Sequence, residues 1–199
     1  MNVAGRPATM RRVIDAAADE LAAAGVGSPR ADAELLAAHV AGTDRGRVTL
    51  TDPDAEFVER FDRLVARRAA RVPLQHLTGS AAFGPVTVEV GPGVFIPRPE
   101  TESLLEWALA QPLSQRPLIV DLCTGSGVQA VLNATHSQES WAVDINPRAV
   151  HFARVNARFN RRKVTVKQGD LYQPIEGTFD LITANPPFVP TPEGDLQLF

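Results

Sequence analysis

Four short apolar runs in the second half of the chain alternate with helical patterns, and this alternation restricts the fold more than any other feature. The runs are 118–122 (LIVDL), 140–144 (SWAVD), 164–167 (VTVK) and 179–184 (FDLITA). Apolar runs that alternate with helices are typical of a parallel sheet whose faces are covered. The sequence therefore predicts an α/β fold in which the carboxyl ends of the strands meet at one edge of a sheet.

The first run leads into a glycine-containing loop that begins a helix. Segment 121–127 reads DLCTGSG. Glycine lets the backbone pass close to a ligand, and a helix N-terminus presents free N–H groups. Such a loop can bind a dinucleotide or can be a plain tight turn. A dinucleotide enzyme more usually carries GxGxxG, and here glycine stands only at 125 and 127, which argues against a nicotinamide cofactor.

Acidic residues follow the next two strands. Asp144 ends the second run, where a carboxylate can accept bonds from both hydroxyls of a ribose. Asp170 follows the third run, where it could accept a bond from an adenine amino group. Taken alone, Asp144 could equally be a capping or surface residue, and Asp170 a turn residue. Their order after the glycine loop favours a ligand that contains a nucleoside.

The fourth run ends in Asn185-Pro186-Pro187-Phe188. An amide or exocyclic nitrogen is a poor nucleophile because its lone pair is delocalised. The Asn185 carboxamide oxygen and the Pro186 carbonyl could accept hydrogen bonds from such an NH₂ group, and Phe188 could pack on its flat face. Holding this nitrogen in line with a methyl sulfonium would then supply most of the rate acceleration of methyl transfer, and no strong base would be needed. Two prolines after a strand can also form a plain loop, but the three preceding elements occur in the order that a methyl-transfer site requires.

The N-terminal region has a different composition. Residues 1–75 are rich in Ala, Leu and Arg, and apolar side chains recur at helical spacing at Val13, Ile14, Ala17 and Leu21. Ser28-Pro29 and Asp52-Pro53 each predict the start of a helix. We expect a small helical bundle, with His39 in its core.

Residues 76–98 join this bundle to the α/β region. Turn signals at 83–85 (FGP) and 91–93 (GPG) flank an alternating apolar pattern, and we interpret the segment as a β-hairpin linker. A helix is predicted from Glu100 to Gln111, because Pro99 precedes acidic residues that the helix dipole favours. The expected domains are residues 1–75, helical; residues 76–98, the linker; and residues 99–199, the α/β domain.

Several segments narrow the match to a known family. The glycine loop, the two acids and the NPPF sequence resemble a class I S-adenosylmethionine-dependent methyltransferase with the NPPY/F signature. Within residues 28–36, 73–79 and 95–102 (FIPRPETE), the chain further resembles the HemK-type peptide-chain release factor glutamine methyltransferases. The resemblance runs from about residue 10 to residue 190. It implies a Rossmann-like class I methyltransferase sheet preceded by the helical domain and the hairpin. It also implies methylation of the glutamine side chain in the GGQ motif of release factors.

The resemblance implies particular residues for each ligand. S-adenosyl-L-methionine would contact Cys123, Thr124, Gly125, Ser126, Gly127, Asp144, Asp170, Leu171 and Asn185. The glutamine amide would contact Asn185, Pro186, Pro187 and Phe188, of which the first two are the catalytic pair. No metal site is expected. The residue types assign no chemical role to Arg98 or Glu100, and we expect both to brace the site.

The sequence departs from the family in three places. Cys123 stands where the family usually has the first glycine of the loop, and its Cβ could crowd the cofactor if a positive φ is needed. Phe188 replaces the commoner Tyr, which keeps the stacking face but loses a hydroxyl. The family has further strands after NPPY, so we expect a sheet that is incomplete at the C-terminus, with four strands and an unpaired apolar edge.

Composition bears on location and partners. No apolar run approaches the roughly 18 residues of a membrane span, the N-terminus lacks the pattern of a signal peptide, and Cys123 is the only cysteine. We therefore expect a cytoplasmic protein without membrane contact. The net charge of −3 argues against stable DNA binding. The implied partners are release factors, in particular the ribosome-free form. Amino methylation of a nucleobase in RNA or DNA and an inactive methyltransferase fragment remain alternatives.

Overall fold

The computed structural model describes residues 9–186, and the chain divides into two compact units between Thr78 and Gly79. The first unit is helical, as predicted. Its elements are α1 (Met10–Ala23), α2 (Pro29–Ala41), a short 3₁₀ helix (Val48–Leu50), α3 (Ala55–Ala69) and α4 (Leu74–Thr78). Within residues 9–186 no helix is long and apolar enough to cross a bilayer.

The core of the helical unit is built from the side chains that recur at helical spacing. Its fully buried members include Met10, Ile14, Leu21, Leu36, Phe61 and Val65. A largely buried ion pair connects α2 to α3, in which Arg68 Nε donates to Asp32 Oδ2 at 2.7 Å. A buried charge must be paired to avoid the cost of desolvation, so this contact fixes the register of the two helices.

Two expectations for the helical unit are wrong. His39 is exposed, because the buried face of α2 consists of Asp32, Ala33, Leu36, Ala37 and Ala38. The small alanines face inward, which turns His39 toward solvent. Helix α3 begins at Ala55 and not directly after Asp52-Pro53, because the Asp54 carboxylate accepts a bond from Phe57 N at 2.7 Å and caps the helix there.

The second unit contains a hairpin and a parallel sheet with its helices. The elements are β1 (Ser80–Phe83), β2 (Val86–Glu89), α5 (Glu100–Leu109), β3 (Leu118–Leu122), α6 (Val128–Asn133), β4 (Glu139–Asp144), α7 (Pro147–Phe159), β5 (Val164–Gln168) and β6 (Leu181–Ala184). The first two strands pair antiparallel, and the other four form a parallel sheet in the order β5-β4-β3-β6. The predicted α/β class is therefore confirmed, with four parallel strands in the described part of the chain.

The register places the four strand ends side by side. Leu122 lies opposite both Val143 and Ala184, and Asp144 lies opposite Gln168. Because all four strands run in the same direction, the segments that follow them emerge at one edge of the sheet. This carboxyl edge is where open α/β sheets bind their ligands.

The hairpin packs on α7 through a buried carboxamide. Asn156 is fully buried, and its Nδ2 donates to the carbonyl oxygens of Glu89 and Ser126 at 2.9 and 2.8 Å. Its Oδ1 accepts a bond from Glu89 N at 2.6 Å. One side chain therefore connects the hairpin to the glycine loop.

Some element boundaries differ from those predicted. The partner of the 86–89 strand is Ser80–Phe83, and residues 94–96 after the second turn form no strand. Helix α5 ends at Leu109 instead of Gln111, and α6 has only six residues before a turn.

Candidate cofactor and amide site

The two glycines of the loop between β3 and α6 have different roles. Gly127 has a φ of 81°, and a Cβ there would lie 2.7 Å from Ala153 Cα in α7, so glycine is needed for helix packing. Gly125 has a φ of 56°, and a Cβ there would meet nothing within 4 Å. The space beside Gly125 is therefore open to a ligand.

Asp144 lies at the end of β4 with both carboxylate oxygens oriented by backbone. Its Oδ2 accepts a bond from Gly125 N at 2.8 Å, and its Oδ1 accepts a bond from Asn146 N at 2.9 Å. An ionised carboxylate offers about four lone-pair sites, so each oxygen can accept one further bond. The side chain is thus fixed in place and still able to accept two hydroxyls.

Asp121, at the end of β3, is a residue that sequence reasoning did not assign to the site. Its carboxylate is buried and accepts bonds from Thr124 Oγ1 at 2.6 Å and Thr183 Oγ1 at 2.8 Å. The pKa of Asp121 is raised to about 7, chiefly by burial; the bonds from the two hydroxyls act to lower the pKa, and the nearby charge of Asp144 acts to raise it. Asp121 connects β3, the glycine loop and β6. The sequence did offer a signal for Asp121, because an acidic residue at the end of a strand stands just before a glycine loop.

Cys123 adopts the backbone conformation that favours glycine. Its φ is 56°, and its side chain is half-buried. The pKa of its thiol is raised by burial first, and then by the charges of Asp144, Asp121 and Asp170. These three carboxylates therefore surround the beginning of the loop.

Apolar side chains lie exposed at the ends of β4 and β5. Ile145, directly after Asp144, is 64% exposed, and Leu171 and Tyr172, directly after Asp170, are 45% and 57% exposed. Gly169 N donates to Asp144 O at 3.1 Å, which joins the two strand ends. Ile145 was not predicted, although an apolar residue between two polar ones at a strand end was a usable signal.

Asn185 follows β6 at the same edge. Leu122 in β3 pairs with Ala184 in β6. The residues that follow them, Cys123 and Asn185, therefore leave these neighbouring strands at the same level. Asn185 is exposed, and its Nδ2 donates to Thr101 Oγ1 at 3.1 Å. Pro186 is half-buried. Pro187 and Phe188 lie outside the described residues, and their roles stay predictions.

The 95–102 segment contacts the rest of the unit through residues that were not predicted. The Arg98 guanidinium lies 5.0 Å from the centre of the Phe95 ring, and Glu100 is exposed in the first turn of α5. The connecting contacts come from the next two residues. Thr101 bonds Asn185, and Glu102 Oε1 accepts a bond from Gly84 N at 3.1 Å in the hairpin turn.

This arrangement defines a class of protein. A parallel sheet whose carboxyl edge carries a glycine loop, a ribose-competent acid and an Asn-Pro pair is the architecture of the class I methyltransferases. The family profile described as "PrmC N-terminal domain" matches residues 12–79, and the profile "Methyltransferase small domain" matches residues 87–198.

Known relatives agree with these profiles. A release factor glutamine methyltransferase of Mycolicibacterium smegmatis is 54% identical over 187 residues, covering 91% of this chain and 66% of that protein. The one of Corynebacterium glutamicum is 41% identical, covering 92% of this chain and 68% of that protein. The chain belongs to the release factor glutamine methyltransferase family. It spans 66% and 68% of the length of these two curated relatives.

The chain also shows a partial likeness to a solved structure. The 16S rRNA N2 G1207 methyltransferase of T. thermophilus, in complex with AdoMet and guanosine, is 26% identical, with a TM-score of 0.47. The likeness covers 59% of this chain and 35% of that one.

Proposed function

We propose that this chain binds S-adenosyl-L-methionine and methylates the side-chain amide of the glutamine in the GGQ motif of peptide-chain release factors. The observation that carries the proposal is that Asn185 leaves β6 at the carboxyl edge of the sheet, level with the start of the glycine loop after the neighbouring strand β3. Family membership supports the choice of a protein glutamine as the target.

The residues present at this edge fit the cofactor. The open space beside Gly125 can receive its methionine part, and Asp144 can accept both ribose hydroxyls. Ile145, Leu171 and Tyr172 present apolar surface that can pack on the adenine ring. When bound, S-adenosylmethionine supplies a reactive methyl group on a positively charged sulfonium. The carboxylates around Cys123 favour a cationic ligand.

The chain's own part in the reaction is orientation. Asn185 Oδ1 and the Pro186 carbonyl can each accept one N–H of the glutamine side chain, which fixes the plane of the amide. The nitrogen then faces the methyl group, and its excess proton is lost to water after the new bond has formed. Holding two reactants in attack geometry can supply several kcal/mol of the barrier reduction, on the order of 7–11 in favourable cases. No basic side chain is required.

The direct test offers purified release factor, together with total RNA, to the chain and tritiated S-adenosylmethionine. We expect label in the release factor, located by peptide mapping at the glutamine of the GGQ motif. A release factor in which that glutamine is replaced by alanine is the matched control and should take up no label. Label in RNA but not in the release factor would instead show amino methylation of a nucleobase.

The proposal also defines partner and location. The protein partner is a release factor, and the ribosome-free form presents its GGQ loop without competition from the ribosome. Because release factors act in translation, the same proposal places the chain in the cytoplasm.

A further inference from the structure

We propose that Thr101 is a positioning residue that fixes the Asn185 carboxamide with its oxygen toward the substrate amide. The inference rests on the function proposed above, and it gives the PETE segment at 99–102 a specific role. Neither Arg98 nor Glu100, the residues expected to brace the site, makes the contact that orients Asn185.

The orientation of the carboxamide decides what the site can bind. Asn185 Nδ2 donates to Thr101 Oγ1 at 3.1 Å, which leaves Oδ1 as the acceptor available to a ligand. The amide group of asparagine rotates readily about χ2, and its two faces have opposite hydrogen-bonding character. In the flipped orientation its NH₂ would face the NH₂ of the substrate glutamine, and two donors cannot bond. The Thr101 hydroxyl could also donate to a flipped carboxamide, so the choice is made when the substrate NH₂ bonds to Oδ1. In that state Thr101 Oγ1 accepts from Nδ2 and holds the productive orientation.

Thr101 can act in this way because its own position is fixed. It is 8% exposed in the first turn of α5, and its N donates to Arg98 O at 2.9 Å. Glu102 N donates to Pro99 O at 2.9 Å, and α5 packs against both α6 and β6. A β-branched side chain such as threonine also has few χ1 rotamers. The hydroxyl is therefore presented from a rigid turn to an otherwise exposed side chain.

The variants that test this role differ in one hydroxyl. Thr101→Val keeps the shape but loses the acceptor, Thr101→Ser keeps the acceptor, and Ser103→Ala removes an exposed hydroxyl from the same helix. We expect kcat of Thr101→Val to fall roughly tenfold, which corresponds to one lost orienting hydrogen bond. Cofactor affinity by calorimetry should change by less than about twofold, since the reacting amide and not the cofactor is affected. Thr101→Ser should recover most of the rate, and Ser103→Ala should match the unaltered chain.

A second measurement separates this proposal from the proposed function. In a ¹⁵N-labelled chain, the Asn185 side-chain NH₂ signal, assigned through Asn185→Asp, should move in Thr101→Val but not in Thr101→Ser. If the unaltered chain transfers no methyl group to release factor, the proposed function fails, and this signal alone decides whether Thr101 orients Asn185. An unmoved signal in Thr101→Val, or an unchanged kcat in an active chain, overturns the inference.

Discussion

Cys123 is a residue whose side chain disagrees with its backbone conformation. An L-residue in the left-handed conformation costs roughly 1–2 kcal/mol relative to an ordinary conformation, and glycine avoids that cost. Of the other described non-glycine residues with positive φ, Arg71 and Arg161 lie just after helices, where this conformation is common, and Leu171 lies after β5. Cys123 directly follows β3 at the candidate site.

Replacement of Cys123 by glycine is therefore expected to stabilise the chain by about 1 kcal/mol, because the strain is removed. Urea denaturation measures the change. Cys123→Ala, which keeps the strained φ and removes only the sulfur, serves as the control and should show no such gain. Equal or lower stability of the glycine variant would show that Cys123 is not strained.

Asp121 gives the chain a pH dependence of defined sign. Its folded-state pKa of about 7 lies above the unfolded value of about 3.9. The folded chain therefore retains a proton that the unfolded chain loses between these values. The stability contributed by this group is fully present below about pH 4 and is lost as the pH rises to about 7.

An Asp121→Asn variant cannot lose that proton. The free energy of unfolding of the variant, relative to the unaltered chain, should increase between about pH 4 and pH 7 and stay constant above. Urea titrations at several pH values measure this difference. A difference that does not vary with pH would contradict the raised pKa of Asp121.

Asn185 carries the chemistry in the proposed function. Asn185→Ala should abolish methyl transfer while S-adenosylmethionine affinity stays within roughly tenfold, since one hydrogen bond contributes a net free energy of about 0.5–1.5 kcal/mol. Calorimetry and the tritium assay together separate the two effects. Turnover equal to that of the unaltered chain would refute the role assigned to Asn185.

At the scale of secondary structure, α6 buries two polar side chains that lack hydrogen-bond partners among the described residues. Gln129 and Asn133 are 3% and 0% exposed, and their side-chain amides have no hydrogen-bond partner among the described residues. A buried polar group without a partner costs about 1–3 kcal/mol. The helix ends at Asn133, shortly before a polar segment at 135–139 (THSQE).

Gln129→Met, which changes the volume little, should therefore raise the free energy of unfolding by about 1–2 kcal/mol. Gln138→Met is the matched control at an exposed position and should leave the stability unchanged. A destabilised Gln129→Met chain, with the control unaltered, would mean that the Gln129 amide has a partner that the static structure lacks.

The sequence predicted strands better than helix faces. The run at 118–122 corresponds to β3 residue for residue, because a strand buried on both faces is a continuous apolar run. Asn146-Pro147 has the residue types of a helix start, and Asn146 Oδ1 accepts a bond from Arg148 N at the start of α7. By contrast, the alanines of α2 did not indicate which face of the helix is buried, so the sequence analysis placed His39 on the wrong face.

Contacts distant in sequence were the part of the site that could not be predicted. The loop, Asp144 and Asn185 were recognised because each follows its own strand directly. Thr101 bonds a residue far along the chain, and no local pattern records that pairing. The hairpin was predicted, with a turn at 83–85, but its first strand, Ser80–Phe83, was not identified, because it is only four residues long.

At the scale of the whole molecule, the two units contribute different properties. The helical unit is held by an apolar core and one buried ion pair. The α/β unit brings four strand ends to one edge, where backbone donors, carboxylates and the Asn185 carboxamide lie together. In the proposed function, the cofactor and the target amide meet at that edge.

A crystal structure of the chain with S-adenosylhomocysteine and a GGQ peptide tests this most directly. The account predicts ribose hydroxyls within hydrogen-bond distance of Asp144, and the glutamine NH₂ within hydrogen-bond distance of both Asn185 Oδ1 and the Pro186 carbonyl. A bound cofactor that leaves Asp144 without contact, or a glutamine that lies away from Asn185, would contradict it.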